Sequence, residues 1–166
     1  MIQIEPFTPE RTEEVGALIL AIQQKEFGLA ITRADQPDLQ AIPDFYQTGA
    51  GQFWVALYAN AVVGTIGLHD IGGGAAALRK MFVAAPWRGR EPGVAQRLLD
   101  TLLAWSRARG LHHVYLGTTV KFLAAHRFYE KHGFREIAAA ELPASFPAMQ
   151  VDTKFYAIEP GGGIRA

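Results

Sequence analysis

The chain has 166 residues, and 16 Lys and Arg balance 16 Asp and Glu, so its formal net charge at neutral pH is zero. This balance disfavours a sequence-independent nucleic-acid binder, because such proteins depend on many basic contacts with phosphates. The chain contains no cysteine, which excludes a disulfide framework, a zinc site built on thiolates and a cysteine-bound acyl intermediate.

The first segment predicts a strand followed by an amphipathic helix. It lacks the basic and apolar regions of a signal peptide, and no apolar run is long enough to cross a membrane, so we expect a cytoplasmic protein. Ile2 and Ile4 alternate with polar residues, which predicts a short strand. Thr8 and Pro9 suit the N-cap and the first position of a helix. The apolar stripe of this helix consists of Val15, Leu18, Ile19 and Ile22.

The pattern weakens from residue 27 to residue 46, where we expect a connection with at most one short helix, near Leu39–Ile42. Three antiparallel strands should follow, at 53–57, 62–68 and 78–83. The glycines at 72–74 formally match a dinucleotide-binding fingerprint. Only about ten residues separate them from Pro86, fewer than a strand-helix-strand crossover needs, so we interpret them as a hairpin loop and disfavour a nucleotide-dependent oxidoreductase.

A short basic loop connects the strand at 78–83 to a long helix that ends at Gly110. The apolar stripe of this helix consists of Ala95, Leu98, Leu99, Leu102 and Trp105. Unpaired N–H groups and the helix dipole make a helix N-terminus a site for phosphate. Arg88 and Arg90 add charge and paired donors. Taken alone, the segment is equally compatible with a surface loop that carries two solvated arginines.

The last third predicts a buried strand at 114–117, a helix at 121–132 and a strand at 134–137. Gly133 suits the residue that follows the helix. A final strand is expected at 151–158, after a loop that contains two prolines.

Two segments resemble signatures of the GNAT superfamily of acyl-CoA-dependent N-acyltransferases. Residues 90–95, Arg-Glu-Pro-Gly-Val-Ala, are similar to Arg-x-x-Gly-x-Gly/Ala, and residues 125–134 resemble a second signature, in which Tyr-Glu-Lys ends a helix before Gly-Phe. The resemblance implies an α+β fold with a central mixed sheet of six or seven strands and about four helices. It also implies a sheet that opens between the strands at 78–83 and 114–117. We expect residues 1–159 to form this single domain and residues 160–166 a flexible tail.

The resemblance further implies acetyl-CoA as the acyl donor and gives its binding residues. The pantetheine arm would pair with the backbone of Met81, Phe82 and Val83. The diphosphate would lie on the turn formed by Arg88, Gly89, Arg90, Gly93, Val94 and Ala95. Phe122 stands where family members often have an asparagine that contacts the cofactor. Glu91 and Pro92 depart from the usual phosphate loop. Glu91 would repel a diphosphate, and Pro92 has no backbone N–H to donate to it.

The activity implied is an N-acetyltransferase that acts by direct attack of an amine on the thioester. Tyr129 resembles the family tyrosine that protonates the departing thiolate, since a phenol stays protonated at neutral pH; aromatic packing is its alternative role. His69, Asp70 and His126 are candidates for the base, which the sequence leaves undetermined. The acidic residues between 35 and 44 would lie near the acceptor and could meet a cationic amine. Their alternative is a solvated connection.

No metal-binding signature is present, so we expect no metal site. The expected partners are acetyl-CoA and an amine of a small molecule or protein, with no nucleic acid and no membrane. A homodimer is compatible with the resemblance. The alternative function, from another class, is a non-catalytic module that binds acyl-CoA as a sensor.

Overall fold

The protein folds around a seven-stranded mixed sheet, in a computed structural model that describes residues 1–89, 91–149 and 151–161. The strands are β1 (Ile2–Pro6), β2 (Gln52–Tyr58), β3 (Ala61–Gly72), β4 (Ala75–Val83), β5 (His113–Thr118), β6 (Arg135–Ile137) and β7 (Lys154–Ile158). The helices are α1 (Thr12–Leu20), α2 (Ile42–Tyr46), α3 (Val94–Ala108) and α4 (Leu123–Lys131). The strand order is β1-β2-β3-β4-β5-β7-β6, in which β4 and β5 run parallel and the other neighbours antiparallel. The expected α+β fold is confirmed.

Helices cover both faces of the sheet. Successive side chains of a strand point to opposite faces, so one strand can contribute to two cores. On β2, Trp54 and Ala56 belong to the core under α3, which also contains Leu98 and Leu102. The intervening residues of β2 belong to a second core on the other face, under α1 and α2. Its members include Val15, Ile19, Leu39, Ile42, Tyr46, Phe53, Val55 and Leu57. The helices therefore sandwich the strands that build the centre of the sheet.

Five predicted elements need correction. The strand predicted at 62–68 extends to Gly72, and the strand predicted at 78–83 begins at Ala75. The short second helix lies at Ile42–Tyr46 rather than at 39–42, because Pro37–Gln40 forms a separate 3-10 turn before it. The first α-helix begins at Thr12, since the residues after Thr8 also form a 3-10 turn. The final strand begins at Lys154 rather than at 151, because the N–H groups of residues 152 and 153 bond to carbonyls outside the β7–β6 pairing. The tail prediction falls largely on residues 162–166, outside the described residues.

The sheet opens between β4 and β5, as the resemblance implies. The two strands pair only from Ala75 to Ala77 on β4, opposite residues 113–115 of β5. Beyond Ala77, β4 stays paired with β3 on one side, and β5 stays paired with β7. The backbone of β4 from residue 78 onward therefore has no strand partner toward β5.

Candidate active site

A cleft of about 420 Å³ occupies the opening between β4 and β5. Its walls are the residues of β4 from 78 to 83, residues 116–118 of β5 and the first turns of α4. An exposed strand edge offers N–H and C=O groups that need hydrogen-bond partners. An extended amide-containing chain could satisfy them, which is the chemistry of a pantetheine arm.

Most of the residues predicted to bind the cofactor or act on it meet in this cleft. The residues in its wall are Met81, Phe82, Val83, Arg88, Gly89, Ala95, Phe122 and Tyr129. Gly93 and Val94 lie outside the cleft wall, at the start of α3. Arg90 lies outside the described residues.

The start of α3 has the geometry that the sequence predicts for an anion site. Gly93 is its N-cap and has a φ of 71°, in the left-handed region that favours glycine. Val94 is fully buried in the core and anchors the first turn. Ala95 faces the cleft with only a methyl group. The first N–H groups of the helix are thus held in place without a bulky side chain at the cleft wall.

Arg88 is held by two contacts. Its Nε donates to the carbonyl of Val83 at 2.8 Å, and its two terminal nitrogens form a forked ion pair with the carboxylate of Glu26. This hydrogen bond from Arg88 lowers the pKa of Glu26. A phosphate at this position would compete with Glu26 for the same fork.

Phe122 immediately precedes α4 and closes the cleft with aromatic contacts rather than polar ones. Its ring packs edge-on against Phe27, with centroids 4.7 Å apart. Phe82 lies farther away, at 6.3 Å. The side chain that replaces the family asparagine is therefore an apolar wall.

Tyr129 projects from α4 to the sulfur of Met81, to which its hydroxyl donates at 3.8 Å. The residue is buried, at 6% exposure, and burial raises the pKa of its phenol. The same ring also packs against Phe134 and Tyr156 in the core. The ring of Tyr129 therefore packs in the core, and its hydroxyl reaches the wall of the cleft. Its role as a proton donor stays a prediction.

Asp152 is a cleft residue that sequence reasoning missed. Its carboxyl lies over Gly117 of β5, so close that a Cβ on Gly117 would stand 2.6 Å from Oδ2. The N–H of Met149 donates to the same oxygen at 2.8 Å. Burial raises the pKa of Asp152, while that hydrogen bond and the charges of Arg79 and Lys80 oppose the rise. No local motif marks this residue, since its position depends on how the loop before β7 packs.

The three base candidates from the sequence lie elsewhere. His69 stacks on Phe45 and hydrogen-bonds its carbonyl, and burial lowers the pKa of the imidazole. Asp70 accepts from the N–H groups of residues 50 and 72. His126 is buried and bonds the carbonyl of Thr119. None of the three forms part of the cleft wall among the described residues.

The acidic stretch before α2 meets cations of the protein itself. Asp38 accepts a 2.6 Å hydrogen bond from Tyr46, and its Oδ2 lies 3.8 Å from Arg79 and 3.7 Å from Lys80. Asp35 instead accepts from the backbone and hydroxyl of Thr32. The charge of Asp38 is therefore already opposed by two cations on β4.

The described parts of the chain contain no group of three or more His, Asp or Glu side chains that could hold a metal ion. Across those same residues, every helix is too short or too polar to cross a membrane.

Known proteins resemble the chain in sequence and in fold. The Acetyltransferase (GNAT) family profile matches residues 17–134. N-acetylaspartate synthetase of Xenopus tropicalis is 31% identical over 106 residues, which are 63% of this chain and 38% of that protein. The chain thus spans about two fifths of that relative's length.

Two crystal structures are similar along nearly the whole chain. An acetyltransferase of the GNAT family from Staphylococcus aureus Mu50 has a TM-score of 0.93 and 39% identity, with 96% of this chain and 99% of that one covered. An acetyltransferase from Streptococcus agalactiae 2603 has a TM-score of 0.90 and 31% identity, covering 95% and 98%.

Proposed function

Because the chain belongs to the Acetyltransferase (GNAT) family, we propose that it transfers an acetyl group from acetyl-CoA to a primary amine of a small molecule or protein. The observation that carries the proposal is the cleft between β4 and β5, whose wall combines an unpaired strand edge with the buried hydroxyl of Tyr129. The edge suits the amides of pantetheine, and the hydroxyl suits a leaving thiolate.

The proposed cofactor site extends from the strand edge to the start of α3. The backbone of Met81, Phe82 and Val83 pairs with the pantetheine arm, and Phe122 packs beside it. The diphosphate lies on the loop and helix start formed by Arg88, Gly89, Arg90, Gly93, Val94 and Ala95. The proposal rests on the left-handed Gly93 and the small Ala95, since both let an anion approach backbone N–H groups. In this site Arg88 exchanges Glu26 for phosphate oxygens.

The proposed reaction is direct attack without a covalent enzyme intermediate. The neutral amine attacks the thioester carbonyl, the new C–N bond forms, and the C–S bond breaks. Tyr129 gives its proton to the departing sulfur and regains one from solvent. Burial keeps the Tyr129 pKa high, so the proton is present at neutral pH. The sulfur becomes basic enough to accept it only as the C–S bond breaks.

The amine must lose a proton, and Asp152 is the proposed acceptor of that proton. Two features support it: the carboxyl lies in the cleft over Gly117, and burial raises its pKa toward the range of an effective base. The charges of Arg79 and Lys80 favour its ionised form. The proton passes from the nitrogen to Asp152 directly or through one water, and then to solvent.

Cofactor binding is tested by calorimetry and thermal shift. Acetyl-CoA at 100 times its dissociation constant should stabilise the fold by about 2.7 kcal/mol, whereas NAD should not. An absence of heat with millimolar acetyl-CoA would overturn the proposal. Activity is then followed by thiol release with a panel of amines, amino acids, aminoglycosides and peptides. L-aspartate comes first, because the similar relative is named N-acetylaspartate synthetase.

Tyr129→Phe should lower kcat by roughly 10² or more, with acetyl-CoA binding retained, because it removes the proton and leaves the ring. Tyr58→Phe is the matched control, since Tyr58 is exposed and lies outside the cleft. If both variants bind acetyl-CoA and no amine yields thiol release, the protein is the acyl-CoA sensor and not the enzyme.

A further inference from the structure

Two neighbouring cations of β4 face the same side of the sheet, which a regular strand forbids. Side chains at adjacent strand positions point to opposite faces. Lys80, however, has a φ of 56°, and the β3–β4 register shifts here, with Phe82 opposite Thr65 and Arg79 opposite Gly67. Lys80 and Arg79 consequently both approach Oδ2 of Asp38. A lysine in the left-handed region is strained by about 1 kcal/mol or more.

Both cations are withdrawn from solvent. The Lys80 side chain is 2% exposed and the Arg79 side chain 13%. The Lys80 ammonium donates to Gln36 Oε1 at 2.7 Å and lies 3.7 Å from the sulfur of Met149. Burial lowers its pKa to about 8, so the group is still charged at pH 7. Buried charges normally have matched partners. Here both cations approach the same oxygen of Asp38, and Asp152 interacts with both of them as well.

Two of the three nitrogens of the Arg79 guanidinium form hydrogen bonds with the described residues, and the third does not. Its Nε donates to the hydroxyl of Tyr46 and its Nη1 to the carbonyl of Pro147, each at 3.1 Å. Its Nη2 is 3.8 Å from Asp38, beyond hydrogen-bond distance. Within the described chain, Nη2 has no other hydrogen bond. The two N–H donors of Nη2 therefore have no hydrogen-bond acceptor among the described residues.

These donors lie where two clefts meet. A second cleft, of about 550 Å³, adjoins the first one, and both have Ile31, Arg79, Met149 and Val151 in their walls. The second cleft also contains Asp35, Asp38, Phe45 and Pro147. Both carboxylates already have partners. Asp35 accepts hydrogen bonds from Thr32, and Asp38 accepts one from Tyr46. Asp152 faces Arg79 and Lys80 from the first cleft.

We propose that this junction is the acceptor subsite and that the acceptor is an amine bearing a carboxylate, which Arg79 binds through Nη2 while Lys80 supplies a second positive charge. The inference rests on the function proposed above and adds the substrate class. The amine would face the first cleft, where the thioester lies, and the carboxylate would lie against Arg79. A guanidinium held in advance loses little freedom when it binds a carboxylate.

The test uses acceptor pairs in which the amide has no carboxylate: L-leucine with L-leucinamide, and L-methionine with L-methioninamide. The amide has the less basic amine, so a larger fraction is neutral, and intrinsic reactivity favours it. We expect the acid to have a kcat/KM at least 10-fold above that of the amide in the unmodified protein. Arg79→Gln should abolish this preference, because it should lower kcat/KM for the acids at least 10-fold more than for the amides, which it also slows through Asp152.

Two further variants keep the test decisive. Arg127→Gln is the matched control, because Arg127 is exposed on α4 and lies outside both clefts, and it should keep the full preference. If Arg79→Gln fails to fold, Arg79→Lys preserves a charge but not the fork, and we expect it to keep part of the preference.

Equal turnover of acids and amides by the unmodified protein, or an unchanged preference in the Arg79 variants, would overturn this inference alone. An absence of thiol release with every amine would overturn the proposed function and this inference together.

Discussion

Gly117→Ala is a small change that should impair catalysis mainly by displacing Asp152, with a lesser contact against Phe155 at 3.1 Å. The new Cβ would stand 2.6 Å from Oδ2 and 2.8 Å from Cγ of Asp152, whereas ordinary contact begins near 3.4 Å. The carboxyl must therefore retreat by about 0.8 Å. A misplacement of about 1 Å can reduce a rate by about 10², equivalent to about 2.7 kcal/mol in the activation free energy. We expect a loss of this size in kcat.

The assay is thiol release under saturating acetyl-CoA, with the affinity for acetyl-CoA measured separately by calorimetry. A double-mutant cycle isolates the mechanism. In an Asp152→Ala background the carboxyl is absent, so adding Gly117→Ala should lower kcat by less than about 3-fold. Equal effects of Gly117→Ala in both backgrounds would refute the reasoning, as would a weaker affinity for acetyl-CoA that accounts for the whole loss.

Two further predictions follow from buried or paired charges. Glu26→Gln should tighten CoA binding several-fold, because Arg88 would no longer have to break an ion pair with a carboxylate. Arg88→Ala should weaken CoA binding. Calorimetry that finds neither change would contradict a role for Arg88 at the diphosphate. Lys80 has a pKa of about 8 in the fold and 10.5 when free, so between these values the unfolded chain binds more protons and the free energy of unfolding rises with pH. The rise is up to about 3 kcal/mol, and Lys80→Met should lack it. Denaturant titrations from pH 8 to pH 10 measure the free energy of unfolding of both proteins. An equal dependence on pH in the two would contradict this prediction.

The start of α3 and the loop before it were predictable, because their determinants are local in sequence. One stretch of about thirty residues contains the basic loop, the left-handed glycine and the apolar stripe of α3. Helical spacing predicts the stripe directly. The hairpin at Gly72–Ala75 follows in the same way from its glycines. Even here one contact escaped prediction. Glu26 is 62 positions from Arg88, and no pattern in the sequence pairs them.

The arrangement at the junction of the two clefts could not be predicted, because its determinants are non-local. Alternation along β4 assigns Arg79 and Lys80 to opposite faces, and only the register shift against β3 brings them together. Asp152 was expected inside a regular strand. The N–H of the next residue, Thr153, instead bonds the carbonyl of Thr118, and the Asp152 carboxyl turns over Gly117. The contacts of Thr153 with Thr118 and of Asp152 with Gly117 each join residues 35 positions apart.

This division explains how one fold can keep its donor and change its acceptor. The strand edge and the α3 start are built from backbone that any sequence with the right glycines and apolar stripe reproduces. The junction of the two clefts instead needs Asp38 and Tyr46 from the α2 region, because they contact two buried cations, of which Lys80 has a strained backbone. Replacing that region alone would leave Arg79 and Lys80 without their shared carboxylate, which is a destabilisation of several kcal/mol for a broken buried pair. Acceptor choice is therefore expected to change by joint substitution of the α2 region and the β4 bulge, while cofactor binding stays constant.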